Sequence, residues 1–214
     1  MSILNQLKES GIFAVVRNST VDNIVPICES LVEGGINCIE ITAETPNIAA
    51  IIEKAVNEVG DKILIGAGTV LDPETARSVI SAGAQFIVSP TLNLETIKVT
   101  KRYGVVSIPG AFTPTEILTA YEHGADMIKV FPANVVGPSY VKNIHGPMPG
   151  IPIVLTGGIN LDNLEEYVTS GAVGVGLGSN LVNPSKLNSE EDYKALIEQA
   201  RRYADAYKAA KAKI

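Results

Sequence analysis

One arrangement recurs four times in this chain: a helix-like segment, a glycine, one further residue, and then a short run rich in Val and Ile. It is seen in EGGINCIEIT (33–42), SAGAQFIVS (81–89), EHGADMIKVF (122–131) and TSGAVGVGLG (169–178). A glycine closing a helix supplies the C-cap from which the chain can turn straight into a strand, so each repeat reads as a helix feeding directly into a strand. Strand-like runs lie at Phe13–Arg17, Ile36–Thr42, Ile63–Ala67, Gln85–Ser89, Val105–Ile108, Asp126–Phe131, Pro152–Thr156 and Val173–Leu177. Segments with helical spacing follow them, at Val21–Glu33, Asn47–Val59, Glu74–Ala82, Leu94–Tyr103, Thr115–His123, Ser139–His145, Leu161–Ser170 and Glu190–Lys213. Capping side chains ahead of Asp72-Pro73-Glu74, Thr113-Pro114-Thr115-Glu116 and Asn160-Leu161-Asp162 mark helix starts, and Gly34, Gly83, Gly104, Gly124 and Gly171 mark stops. Eight such units with apolar strands too short to alternate cleanly predict an all-parallel sheet covered by helices. The expected fold is an α/β (β/α)₈ TIM barrel, one domain over residues 1–214, with Met1–Ser10 as a short N-terminal helix. The rival is an open doubly wound sheet, which ranks lower because Arg17-Asn18-Ser19-Thr20 stands in the first βα turn where a GxGxxG would be expected.

Charge and cysteine content narrow the partners. Seventeen Lys and Arg against 23 Asp and Glu give a net charge of −6, which disfavours binding to a phosphate backbone, so no nucleic acid partner is expected. Cys28 and Cys38 lie in apolar stretches without CxxC spacing or a nearby His; neither a disulfide framework nor a metal site is predicted. Lys8 and Glu9 interrupt the apolar residues of the N-terminus before a signal-type run builds, and the expectation is a cytoplasmic protein with no membrane association.

In a barrel of this kind, chemistry sits where strands run into their following loops. Lys129 shares a strand face with Met127 and Phe131, while Ile128 and Val130 face the other way. An amine buried there needs a counter-charge or must shed its proton, and an unprotonated lysine is what imine formation uses; the alternative is a strand-end lysine reaching solvent by its stem. Glu40 shares a face with Cys38 and Thr42, so it too is expected inside the barrel, as a proton shuttle for the lysine or as half of a structural ion pair. Thr156-Gly157-Gly158 after strand seven and Gly176-Leu177-Gly178-Ser179 after strand eight occupy the usual place for a phosphate held by backbone N–H groups. Gly66-Ala67-Gly68-Thr69 offers a further backbone cradle, and Arg17 an anion clamp or a plain surface cation. His123 and His145 are expected on the surface, away from the strand mouths.

Taken in order, GGINCIEIT, IGAGTVLDP, FIVSP, IPGAFTPTE, IKVFPA, GPSYVKNIHGPMP, LTGGINLDN and GLGSNLV cover nearly the whole chain. They resemble the 2-keto-3-deoxy-6-phosphogluconate (KDPG) and 4-hydroxy-2-oxoglutarate (KHG) aldolase family, which includes 2-keto-3-deoxy-6-phosphogalactonate aldolase. The resemblance implies a class I aldolase, usually a homotrimer, that cleaves a phosphorylated 2-keto-3-deoxy acid to pyruvate and an aldehyde with no cofactor beyond a covalent imine. It implies Lys129 as the imine lysine and Glu40 as the acid/base. It also implies Thr69, Pro90 and Phe131 around the pyruvate half, and Thr156, Gly157, Gly158, Gly178 and Ser179 around the phosphate. Some members carry an arginine four residues after the glutamate; this chain has Glu44 there, an expected source of repulsion that leaves Arg17 as the cation near the carboxylate end. Phosphosugar epimerases or isomerases on the same barrel, and a non-enzymatic phosphosugar-binding protein, are the competing readings.

Overall fold

The computed structural model describes residues 1–214. Its strands are β1 (Ile12–Val16), β2 (Cys38–Thr42), β3 (Leu64–Gly68), β4 (Phe86–Val88), β5 (Val106–Ile108), β6 (Gly110–Ala111), β7 (Ile128–Val130), β8 (Ile153–Thr156) and β9 (Gly174–Leu177). They are ordered β5-β4-β3-β2-β1-β9-β8-β7-β6, with every pairing parallel. The outer two, β5 and β6, are one stretch of chain interrupted at Pro109, which has no N–H to give to a ladder. The Pro109 carbonyl accepts from Lys129 N at 2.9 Å and the Ser107 carbonyl from Asp126 N at 2.9 Å, which joins this stretch to β7 and closes the ring. The result is the (β/α)₈ barrel expected from the sequence, and the open doubly wound sheet is ruled out.

The helices are α1 (Ile3–Ser10), α2 (Ile24–Glu33), α3 (Ile48–Val59), α4 (Pro73–Ser81), α5 (Leu94–Arg102), α6 (Pro114–Glu122), α7 (Ala133–Val136), α8 (Ser139–His145), α9 (Leu164–Val168) and α10 (Glu190–Lys211), with a 3₁₀ turn at Pro184–Lys186. Asp72 caps α4 by accepting from Thr75 N at 2.6 Å, and Thr113 and Glu116 form a reciprocal capping box on α6. Two helix starts fall later than expected, each behind a local turn. Asn160 closes a local turn by accepting from Asp162 N, which delays the start of α9 to Leu164. Thr20 and Asn23 do the same ahead of α2 by bonding each other's backbone N–H. Gly34 is the C-cap of α2, as expected, with a right-handed φ of −77°; Ala200 of α10 packs where its Cβ would be, and the left-handed position falls on Gly35 (φ +87°).

Strand alternation sorts side chains into two cores. Ile39, Ile41, Ile128 and Val130 point outward to the helix layer, while Phe13, Cys38, Leu64, Phe86, Val88, Ile108, Met127 and Val154 fill the barrel. Phe13 and Phe86 meet edge to face at 5.8 Å and 87°. Leu7 of α1 is fully buried in this inner cluster against the strand beginnings, so α1 seals the N-terminal mouth.

Two strands carry glycine on the inner wall for a steric reason. A Cβ at Gly66 would overlap the Phe86 ring, one at Gly68 the Glu40 carboxylate, and one at Gly176 the Thr156 hydroxyl. Gly66, Gly68 and Gly176 therefore lie within β3 and β9 and clear space for opposing side chains, where the sequence suggested loop cradles for an anion.

Replacing Asp72 with Ala should cost about 1 kcal/mol, a fall of roughly 2–4 °C in Tm. The Thr75 backbone N–H holds the Asp72 carboxyl below its ordinary 3.8, so this stability is present above that pH and is lost as pH falls through the depressed value. Denaturant unfolding of both proteins from pH 7 downward should show the gap shrinking below pH 3.8.

Candidate active site

Lys129 at the centre of β7 and Glu40 at the centre of β2 both point inward, 4 % and 2 % exposed. Three strands separate them on either side of the ring, so the two groups reach each other across the barrel. Lys129 Nζ donates to Glu40 Oε1 at 3.4 Å. This is longer than the roughly 2.7–2.9 Å of a tight charge-assisted bond, so the groups are in ion contact without being locked. Phe13, Val88, Ile108 and Val154 enclose the pair from below and leave no water-sized space there. Burial and the neighbouring Glu40 charge push the Cys38 thiol far above its usual range, so it stays a neutral, inert part of the wall.

Thr156, at the end of β8, belongs to this enclosed group and also to an open cavity of about 190 Å³ at the strand mouths. That cavity gathers Arg17, Phe131, Gly157, Gly158, Gly178 and Ser179 around one space. Gly157 and Gly158 both have positive φ (+108° and +74°), a backbone that L side chains rarely adopt. Phe131 bridges the two regions, its ring centre 5.5 Å from Lys129 Nζ. The structure thus brings the lysine and carboxylate together and sets the two glycine loops immediately above them.

Thr69 and Pro90, both half-buried, stand on the same rim after β3 and β4 but line neither space. Thr69 holds φ +55°, a costly conformation for a β-branched residue. Arg17 lies against the β8 and β9 loops, in the same cavity as Phe131. It also forms an ion pair with Glu44, so the expected uncompensated negative charge at Glu44 is absent. His123 is exposed as expected, but His145 is half-buried, its Nε2 bonded to the Ile151 carbonyl at 2.9 Å.

Sequence reasoning missed Asn180, which lines the cavity and donates to the Ile159 carbonyl at 3.2 Å. It also missed Asn134 on α7, whose N–H donates to the Gly157 carbonyl at 3.1 Å and fixes that loop. An Asn directly after GLGS was a readable signal; a four-residue helix was not.

The family model described as KDPG and KHG aldolase matches residues 3–199. The chain belongs to the KDPG and KHG aldolase family. Within it, the 2-dehydro-3-deoxy-6-phosphogalactonate aldolase of Escherichia coli (strain K12) is 34% identical over 200 residues, spanning 93% of this chain and 95% of that protein. The 2-dehydro-3-deoxy-phosphogluconate aldolase of Treponema pallidum (strain Nichols) is 38% identical over 169 residues, 78% and 80% of the two chains. The KDPG aldolase of Legionella pneumophila, solved with pyruvate captured at low pH as a covalent carbinolamine, superposes with a TM-score of 0.81 at 30% identity, covering 98% of each chain. Members of this family are lyases, and aldol cleavage is the activity of this chain.

Because Gly68 leaves only enough room for the Glu40 carboxylate, Gly68→Ala should displace that group. The expected result is an aldolase turnover lowered at least tenfold together with a stability loss of about 1–3 kcal/mol, read from cleavage kinetics and a thermal melt.

Proposed function

We propose that residues 1–214 act as one class I aldolase domain that cleaves a six-carbon 2-keto-3-deoxy-6-phospho acid to pyruvate and glyceraldehyde 3-phosphate through an imine on Lys129. The observation that carries this reading is the buried Lys129–Glu40 contact opening through Thr156 onto the glycine-loop cavity. The amine of Lys129 attacks the C2 ketone, and Glu40 gives and takes the protons as the carbinolamine loses water to an iminium ion. Glu40, directly or through a water, then removes the C4 hydroxyl proton. The C3–C4 bond breaks, its electrons pass into an enamine, and reprotonation at C3 and hydrolysis release pyruvate. The carbinolamine captured in the Legionella relative supports the first of these steps.

Phosphate held by the Gly157-Gly158 and Gly178-Ser179 loops fixes the aldehyde half, so binding energy remote from the reacting carbons orients them. No metal or dissociable cofactor takes part in this scheme. A homotrimer is part of the reading, supported by Phe112, Leu118, Tyr121 and Val135, large apolar side chains left exposed. So is a cytoplasmic location, supported by two buried, unpaired thiols at Cys28 and Cys38.

Incubation with pyruvate and borohydride should inactivate the enzyme irreversibly and add the mass of a reduced pyruvate adduct to the peptide carrying Lys129. A label on another lysine, or none, would overturn the imine on Lys129, as would retained turnover in Lys129→Arg. The phosphorylated substrate should also be cleaved with higher kcat/KM than its unphosphorylated analogue or 4-hydroxy-2-oxoglutarate. Ser179→Asp should erase that preference by placing a carboxylate against the phosphate; competition between the three substrates decides it.

A further inference from the structure

Arg17 is the only charged side chain among those lining the cavity formed by the β8 and β9 loops. Its guanidinium has five N–H donors in a planar fork, and the Nη1 group is engaged by the Glu44 carboxylate. Glu44 itself is not part of the cavity wall. Arg17 therefore borders the cavity while its guanidinium holds a counter-charge that lies outside it. The loops carrying the two residues are tied a second time, by Asn18 N donating to Thr45 Oγ1 at 3.1 Å. Thr45 is buried, and its hydroxyl lies 3.4 Å from that of Thr42 at the end of β2. The position of the pair is thus set by backbone and buried side chains, not by the ion pair itself. Arg17 and Glu44 are 55% and 41% exposed, and pairs that exposed contribute little to stability. What the carboxylate does change is the charge that the cavity presents. A lone arginine would attract a dianion; an arginine already compensated by Glu44 attracts it less, and the incoming anion competes with Glu44 for the same donors.

We propose that Glu44 is a specificity-determining residue: by acting as the counter-ion of Arg17 it weakens the grip of this cavity on a dianionic tail, and so sets how strongly a phosphorylated substrate is preferred over an uncharged one. This rests on the phosphate reading given above. Three observables separate the two: the kcat/KM ratio for phosphorylated against unphosphorylated 2-keto-3-deoxy acid, the KM and kcat that make it up, and competitive inhibition by inorganic phosphate. They are measured in the wild-type enzyme, Glu44→Gln, Glu44→Asp, Arg17→Gln and the double variant Arg17→Gln/Glu44→Gln. Glu44→Gln should raise the ratio roughly three- to tenfold through a lower KM for the phosphorylated substrate, and tighten phosphate inhibition by a similar factor. Glu44→Asp keeps the charge and should restore a ratio close to that of the wild type. In the Arg17→Gln background, Glu44→Gln should deliver less than half of its gain. A merely structural role would lower kcat for both substrates and leave the ratio and the phosphate inhibition unmoved, which would overturn the proposal. A wild-type ratio well above one that Glu44→Gln leaves unchanged or lowers overturns the proposal and spares the phosphate reading. A ratio near one in both proteins overturns both. A full gain in the Arg17→Gln background shows direct repulsion by Glu44 and overturns its action through Arg17.

Discussion

An eight-stranded parallel barrel encloses only enough volume for a few layers of side chains, so a large or polar group admitted on one strand must be matched by an omission on another. In this molecule the omissions are glycines. Gly66 makes way for Phe86, Gly68 for Glu40 and Gly176 for Thr156. The helix layer outside packs on Ile- and Val-rich outward strand faces. The inner wall is therefore where sequence and function are most tightly coupled. A methyl group added at Gly68 is felt first by a carboxylate, not by the core.

Two opposite charges placed inside that wall lose their hydration, and mutual attraction rarely makes up the whole loss. The Lys129–Glu40 contact is thus a poor device for holding the barrel together and a good one for chemistry: each group keeps the other's charge tolerable, while the 3.4 Å separation leaves both able to exchange partners. Apolar residues below them and polar loops above give the pair a dry floor and a wet ceiling.

Much of this was legible in the sequence because two-residue alternation is a strong rule. Lys129 between Ile128 and Val130, and Glu40 between Ile39 and Ile41, could only face inward once the flanking residues faced the helices. The count of eight barrel strands survives the break at Pro109 because the strand continues past it. What stayed hidden depends on contacts between separate loops. The Arg17–Glu44 pair requires knowing how the turns after β1 and β2 lean on each other, 27 residues apart. The purpose of Gly66 and Gly176 requires knowing which side chain stands opposite. The short α7 falls below the length at which periodicity carries information.

The helix that plugs the N-terminal mouth turns the barrel into a blind well. With Leu7 buried among the strand beginnings there is no second exit, so whatever reacts at Lys129 must arrive and depart past the cavity walled by Arg17, Phe131 and Ser179. Under the imine proposed on that lysine, the order of events would follow from depth alone. The half near the rim leaves first, while the half at the bottom remains tethered until hydrolysis frees it. Kinetically, that proposal makes the well an ordered uni-bi enzyme, in which the deeper product competes with substrate for the free enzyme and the shallower one does not.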